Sequence, residues 1–411
     1  MSDHQHQVVV VGGGPAGLAT ASLLRRDGID AVVVDAHPGG RARTDERRGF
    51  SFNRGPHAVY LGGPAHQVLT HLGLQLEGGY PKVRPHGVLD GVVHPLPTGG
   101  TSLLRSPVLG WKGRASTARL LQKLPSIDPA PLADRSFGAW LDELGMPADA
   151  QRLVRMLARV STYAAALDVA SADMVVRQVQ MAMANGVRYV HGGWQRIVDS
   201  LTGGTPPVPQ QVLRVERDGD RVVTHLADES RIVSAAAVVA TGTPSAAAAL
   251  LDRTVWALGP EIEATCLDLG VTGHADPAQL FGLDDALYLS DHGLAAQLAP
   301  EGHSVVHVAR YLMPGEAGSR DDLERHAAIA GLTGDRIVEA RYLARMTVAG
   351  ALTTPEHGGL AGRPAVDASG VDGVFLAGDW VGHVGHLLDA SLASAEAAAT
   401  AAARAVTLVT R

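Results

Sequence analysis

The sequence predicts an α/β protein in which a parallel sheet, opened by the amino terminus and completed by the carboxyl terminus, carries inserted α+β segments. Three observations predict it. A continuous apolar run, Gln7 to Val11, leads directly into a glycine-rich turn and a helix-patterned stretch. A second apolar run, Ala31 to Val34, ends in Asp35. Far along the chain, Gly373 to Ala377 repeats the pattern of a buried strand and ends in Gly378-Asp379. Apolar runs without alternation belong to strands covered on both faces, the usual condition of a parallel sheet flanked by helices.

The bulk properties set limits. A chain of 411 residues exceeds the usual size of a single core, so two packed domains are expected. With 46% apolar and 19% charged residues, the composition is that of a globular protein with ample core. A net charge of −7 provides no basic excess to displace counterions, which argues against nucleic acid as the main partner. Lys82, Lys112 and Lys123 are the only lysines; with the abundant Arg, Ala and Gly this fits a GC-rich bacterial genome. Cys266 stands alone, which excludes an internal disulfide framework, a thiolate metal cluster and a dithiol redox centre. The start of the chain shows neither a basic region nor a long apolar stretch, so no secretory leader is expected and a cytoplasmic location is.

The first 35 residues carry the strongest signal. Gly12-Gly13-Gly14-Pro15-Ala16-Gly17 fits G-x-G-x-x-G between a strand and a helix. Gly12 permits the tight turn, Gly14 lets the backbone approach a pyrophosphate, and Gly17 lets the helix pack on the strand. The helix start at Pro15 and Ala16 points its free N–H groups toward an anion. Asp35 follows at about the 20-residue spacing expected of an acid that accepts from ribose hydroxyls. Glycine turns alone are weak evidence in a chain with 48 glycines. Strand, glycines, helix, strand and acid in that order predict a Rossmann-like dinucleotide-binding unit.

The residues after Asp35 and Ala36 narrow the ligand. His37-Pro38-Gly39-Gly40-Arg41-Ala42-Arg43-Thr44 returns two glycines and two arginines toward the phosphate end, where a guanidinium offers charge-assisted hydrogen bonds. On its own, this segment reads equally as a solvated turn. With the fingerprint before it, the chain resembles the flavoprotein superfamily of phytoene desaturases, protoporphyrinogen oxidases and flavin amine oxidases, closest to the desaturase-like members. Gly49-Phe50-Ser51-Phe52-Asn53-Arg54-Gly55-Pro56-His57 resembles the superfamily's G-F-x-F-D-x-G-P segment beside the flavin ring, with Asn53 in place of Asp. At the far end, Gly378-Asp379 resembles the carboxyl-terminal G-D motif. Asp389 to Ser394 stands where the family has G-A-x-x-S-G, with Ala395 replacing the last Gly.

The resemblance implies non-covalent FAD, with Gly55, Pro56, His57, Leu388 and Ala390 beside it and Val212 contacting the adenine through its backbone. It also implies a Rossmann-like FAD-binding domain over 1–78, 190–255 and 345–411. A discontinuous α+β substrate-binding domain takes 79–189 and 256–344. Within the latter, Gln151 to Ala166 has helical spacing and Leu124 to Leu132 reads as a Pro-rich loop. Val212 to Val215 with Asp218-Gly219-Asp220 reads as a strand and hairpin turn, and Val238 to Gly242 as a returning strand. Arg105, Lys112, Arg114, Arg119 and Lys123 interleave with Leu103, Leu104, Trp111 and Leu120. This reads either as a solvated amphipathic helix, which is preferred, or as a membrane-surface patch.

For chemistry, a flavin accepts hydride itself, so the protein needs to position a C–H bond over it. Amine oxidases of this superfamily place a lysine near the flavin, and this chain has no lysine after Lys123. Ala299-Pro300-Glu301-Gly302 resembles the A-P-x-G turn of desaturase-like members. His57, His383 and His386 are candidate acid–base residues and Trp194 and Trp380 candidate substrate walls; with 18 histidines, any one of them is more readily structural. No metal-ligand spacing is found. The expectation is an FAD-dependent dehydrogenase or desaturase acting on CH–CH bonds of an apolar small molecule, its electron acceptor open. Oxidation of amines or porphyrinogens, a reduced-flavin isomerase, and a non-catalytic flavin-containing binding protein remain alternatives.

Overall fold

A computed structural model describes residues 3–80 and 82–409. Its organising element is a four-stranded parallel sheet in the order Val374–Leu376, Ala236–Val239, Val8–Val11, Ala31–Val34. The three apolar runs read from the sequence are therefore neighbours, joined through the returning strand. Every residue of Val8–Val11 and Ala236–Val239 is buried, as runs without alternation require.

The two faces of this sheet feed different cores. Val8, Val10, Ala236 and Val238 pack under the helices Pro15–Arg26 and Leu387–Val409. Val9, Val11, Ala237 and Val239 meet Val215, Val222 and Ile232 of a second, four-stranded sheet. That sheet holds the expected hairpin, Val212–Asp218 with Arg221–Leu226.

The inserted segments combine into a seven-stranded, mostly antiparallel sheet. Its order runs Ile337–Ala349, Ile262–Thr272, His303–Leu312, Leu287–Asp291, Gln279–Gly282, His86–Leu89, Val92–Pro95. Helices between residues 100 and 185 cover one face through Trp140, Leu153, Met156 and Met174, and Arg320–Ile329 lies on the other. The helix expected over 151–166 spans Ala148–Thr162, because Tyr163 turns left-handed at φ 59° and stops it. The expected Pro-rich loop is tightened into two 3-10 turns, Leu124–Ser126 and Ala130–Leu132. The basic amphipathic stretch forms Gly100–Leu104 and Trp111–Lys123, with Leu103 and Leu120 packed inward. Trp111 and Leu104 face outward, at 74% and 65% exposure. Among the described residues no helix is long and apolar enough to cross a membrane.

One side chain ties the large sheet to the flavin-motif hairpin Thr44–Arg47/Phe50–Asn53. Arg341, on Ile337–Ala349, is 4% exposed and donates to Asp268 at 2.5 and 3.0 Å and to Asp45 at 2.7 Å. It also donates to the carbonyls of Phe52 and Asn53. Asp268 is fully buried and further accepts from His307 at 2.5 Å and from the Cys266 thiol at 3.1 Å. Cys266, Asp268 and His307 are close enough to share an ion. Arg341 already neutralises that carboxylate, so the group reads as the anchor of the guanidinium.

Removing Arg341 strands a buried carboxylate, a change that costs about 3–5 kcal/mol. Arg341→Met is expected to lower the urea unfolding free energy by about that amount, and Arg341→Lys by less. A loss under about 1 kcal/mol in Arg341→Met would show that the pair does not hold the two sheets together.

Candidate functional site

The carboxyl ends of the parallel strands open on a cavity of about 630 Å³. This is where an open α/β sheet binds ligands. Gly12, Gly14, Pro15 and Ala16 form its floor, Asp35, Ala36 and Val212 one end, and Gly40, Arg41 and Gly378 the other. Gly12 sits at φ 112°, and a Cβ there would press on the Ala240 carbonyl. Gly17 lets the helix lie directly on the Gly12 carbonyl, so its role is packing. Gly14 is different: its φ of −76° suits any residue, and a Cβ there would meet no protein atom within 4 Å. The space above it is cradle.

Asp35 is held by the backbone, accepting from Gly13 N–H at 2.6 Å and His37 N–H at 2.7 Å. Each carboxylate oxygen keeps a second lone pair for a ribose hydroxyl. At the opposite end Asp379 is 3% exposed. Its Oδ2 accepts from Arg41 at 2.9 Å and from Gly350 N–H at 3.2 Å, and its Oδ1 is buried with no protein partner. A buried carboxylate oxygen calls for a donor, and Asp379 stands at the wall of the adjoining cavity. The residues present thus fit a flavin nucleotide: an acid for the ribose, an open cradle over Gly14, and an orphaned acceptor at Asp379. Arg363, which no motif flags, supports that end by donating to the carbonyls of Asp379 at 3.0 Å and Gly385 at 2.8 Å. Ser394 accepts from Gly378 N–H at 2.9 Å and so fixes the turn to the last helix.

A second cavity, about 590 Å³, continues from the first and shares Pro15, Arg41, Thr347 and Ser391 with it. His57 and Trp194 form one wall and Tyr60, Tyr163, Met346 and Leu387 the rest of its apolar body, with Pro56 and Leu388 also lining it. The His57 ring meets Trp194 edge-on at 4.4 Å and donates from Nδ1 to the Gly55 carbonyl at 2.9 Å. Burial lowers its pKa to about 4, so it is neutral and a weak base at pH 7. Burial likewise pushes the Tyr60 and Tyr163 phenols up, and both stay neutral. Asn53, the departure from the family's Asp, accepts from Trp194 N–H and the Thr44 hydroxyl, both at 2.8 Å, and positions that wall.

Several expected residues stand elsewhere. Trp380 is fully buried beneath the parallel sheet, donating to the Thr241 carbonyl and packing on Trp256 at 5.1 Å, so it is no substrate wall. His386 is buried and donates to the Thr162 carbonyl at 3.0 Å; it is a structural strut. His383 lies on an exposed loop away from both cavities. The Arg43 guanidinium turns to Asp45, 4.0 Å away, because its stem packs over Gly39. Gly55 lines neither cavity; at φ 82° it lets Met346 pass close to the backbone. Ala390 faces the core, and Ser391 lines both cavities in its place. Tyr60, Tyr163, Arg341 and Met346 were not legible as site residues, since each comes from a segment with no motif.

Residues 15–266 match the family described as flavin containing amine oxidoreductase. The chain belongs to this family. It is similar to a phytoene desaturase of Cercospora nicotianae, 29% identical over 124 residues, covering 28% of this chain and 20% of that protein. It is also similar to a coproporphyrinogen III oxidase of Propionibacterium freudenreichii subsp. freudenreichii, 30% identical over 184 residues, covering 36% and 34%. These alignments span about a third or less of the relatives' own lengths. In three dimensions a putrescine oxidase solved with putrescine superposes with a TM-score of 0.74 at 16% identity, covering 98% of this chain and all of that one. The α/β flavoprotein fold expected from the motifs is therefore established over nearly the whole chain.

Two outcomes follow from this geometry. Gly14→Val is expected to fold, with the flavin-free protein within about 1 kcal/mol of the parent, yet to retain less than a tenth of the flavin on purification. Normal flavin content in that variant would refute the cradle. The second concerns pH. Burial holds His57 and His386 at about 4, below the unfolded 6.5, so their stabilising contribution is whole above 6.5 and lost as the pH falls toward 4. Each contributes on the order of 3 kcal/mol. Asp389 works oppositely: burial raises it to about 6, and its share is lost as the pH rises through that value. His386→Gln is expected to flatten the loss between pH 6.5 and 4 in urea titrations; an unchanged slope would exclude that histidine as a source.

Proposed function

We propose that this protein is a dehydrogenase with non-covalently held FAD that removes two hydrogens across a C–C bond of a largely apolar small molecule, one as hydride to the flavin and the other as a proton released to solvent. The observation that carries the reading is the pairing of two connected cavities, one floored by glycines and closed by Asp35, the other walled by Tyr60, Tyr163, Trp194 and Met346, which meet at Arg41 and Ser391. Bound flavin supplies the two-electron acceptor, to be reoxidised by oxygen, a quinone or another acceptor. The chain supplies the rest. Arg41, held by Asp379 and the Val348 carbonyl, fixes a guanidinium donor between the cavities. The last helix begins at Leu387, so its amino-terminal partial charge favours negative charge at the same junction. Tyr60, Tyr163, Trp194 and Met346 orient an apolar body and exclude water from it.

The similarity to a phytoene desaturase supports a C–C bond as the target. So does the cavity lining, which includes no lysine. His57, neutral and committed to Gly55, is read as a wall that holds Trp194 and not as the proton acceptor.

The test is spectroscopic. Purified protein is expected to show flavin absorption that heat or acid releases into the supernatant. Anaerobic addition of apolar precursors with a saturated C–C bond next to conjugation is expected to bleach it, and air or a quinone to restore it. Bleaching by alkylamines with peroxide release, and none by apolar precursors, would move the assignment to amine oxidation. Trp194→Ala is expected to lower kcat/KM at least ten-fold while flavin content holds; unchanged kinetics would remove it from the substrate wall.

A further inference from the structure

We infer that the apolar substrate carries a carboxylate, received at the cavity mouth by Arg47 and Arg54. This rests on reading the cavity as the substrate site, and narrows what enters it.

Five arginines line the cavity: Arg41, Arg47, Arg54, Arg341 and Arg345. Three are committed. Arg41 pairs with Asp379 at 2.9 Å, Arg341 with Asp268 and Asp45, and Arg345 with Glu263 at 3.0 Å. Arg47 and Arg54 make no ion pair or side-chain hydrogen bond among the described residues, although both line the cavity. Both are exposed where Tyr60 is buried and Tyr163 and Met346 are half-buried, so the two arginines form the solvent side of the lining.

Strand geometry explains why Arg47 stays free. Side chains alternate along Thr44–Arg47, so Asp45 and Arg47 share the cavity face. Glu46 points the other way and accepts from the Ser51 hydroxyl at 2.5 Å. Asp45, the acid nearest in sequence on that face, is taken by Arg341. Arg54 follows Asn53 at the end of the partner strand, where Phe50 and Phe52 are buried and the arginine is left outside.

The acids decide the sign of the ligand. Asp45 and Asp379 are the carboxylates that line the cavity, and each already holds an arginine. An ammonium entering here would meet two unpaired guanidinium groups first, and both acids of the lining already hold an arginine, the one free oxygen, Asp379 Oδ1, lying buried at the flavin end. A carboxylate would find two planar donor forks matched to its oxygens. The mouth therefore selects for an anion on an apolar tail, in a protein whose net charge of −7 would otherwise repel one.

The experiment compares three ten-carbon probes, decanoate, decanol and decylammonium, binding to the flavin-loaded protein, read by calorimetry. Decanoate is expected to bind at least ten-fold tighter than decanol, and decylammonium more weakly than decanol. Added salt is expected to erode the decanoate advantage and leave decanol unchanged, because the mouth is solvated. Arg47→Gln/Arg54→Gln, at two exposed positions, is expected to abolish the ratio between decanoate and decanol. Arg105→Gln/Arg119→Gln, which removes the same charge from the helical cover, is expected to keep it. Equal binding of decanoate and decanol, or a ratio that survives in the Arg47/Arg54 double variant, would overturn the inference. The flavin spectrum of the same samples tests the cofactor reading separately, so failure of one is distinguishable from failure of the other.

Discussion

Everything in this structure depends on the strand Val8–Val11 being hydrogen-bonded on both sides. Its neighbours come from immediately after it, Ala31–Val34, and from more than two hundred residues away, Ala236–Val239, which in turn carries Val374–Leu376. Parallel pairing cannot be closed by a hairpin and needs a crossover each time. Those crossovers are long enough to hold the entire seven-stranded sheet and its helices. Because all four strands run the same way, their carboxyl ends lie together. Gly12, Asp35, Thr241 and Gly378 thereby reach one rim.

Burying a strand on both faces leaves its own residues no freedom to be polar, so the polar work of the site is done at chain turns. Asp35 and Asp379 sit one and three residues past strand ends, each fixed by backbone or arginine donors before any ligand arrives. Pre-fixing matters because a ligand that must order its own binding groups gives up affinity to do so. The remaining valence, the buried Asp379 Oδ1, is then the best-defined acceptor in the cavity system.

Arg341 is the corresponding fastener on the substrate side. One guanidinium joins Asp268 in the large sheet to Asp45, Phe52 and Asn53 in the hairpin that follows the glycine-arginine motif. The wall carrying Asp45, Arg47 and Arg54 is thus held against the wall carrying Tyr342, Arg345 and Met346. A planar, permanently charged fork with five donors meets that geometry, and a lysine would not.

The sequence by itself determined the parallel sheet, the glycine floor, Asp35, Arg41 and Asp379, and through them the flavoprotein family. These are legible because their chemistry is local: a turn that only glycine makes, an acid at a strand end, a helix start beside both. It misplaced Trp380, His383 and His386, three residues that follow Asp379 within the same loop, because nearness along a chain says nothing about direction. In the loop after Gly378 the backbone sends Trp380 under the sheet, His383 into solvent and His386 against Thr162. Only the tertiary structure decided the substrate cavity. Tyr60, Tyr163, Arg341 and Met346 meet there because sheet pairing and packing bring three unrelated segments to one volume. Which arginine is free and which is spent is likewise a property of three-dimensional neighbours, since pairing is set by distance and no composition records it.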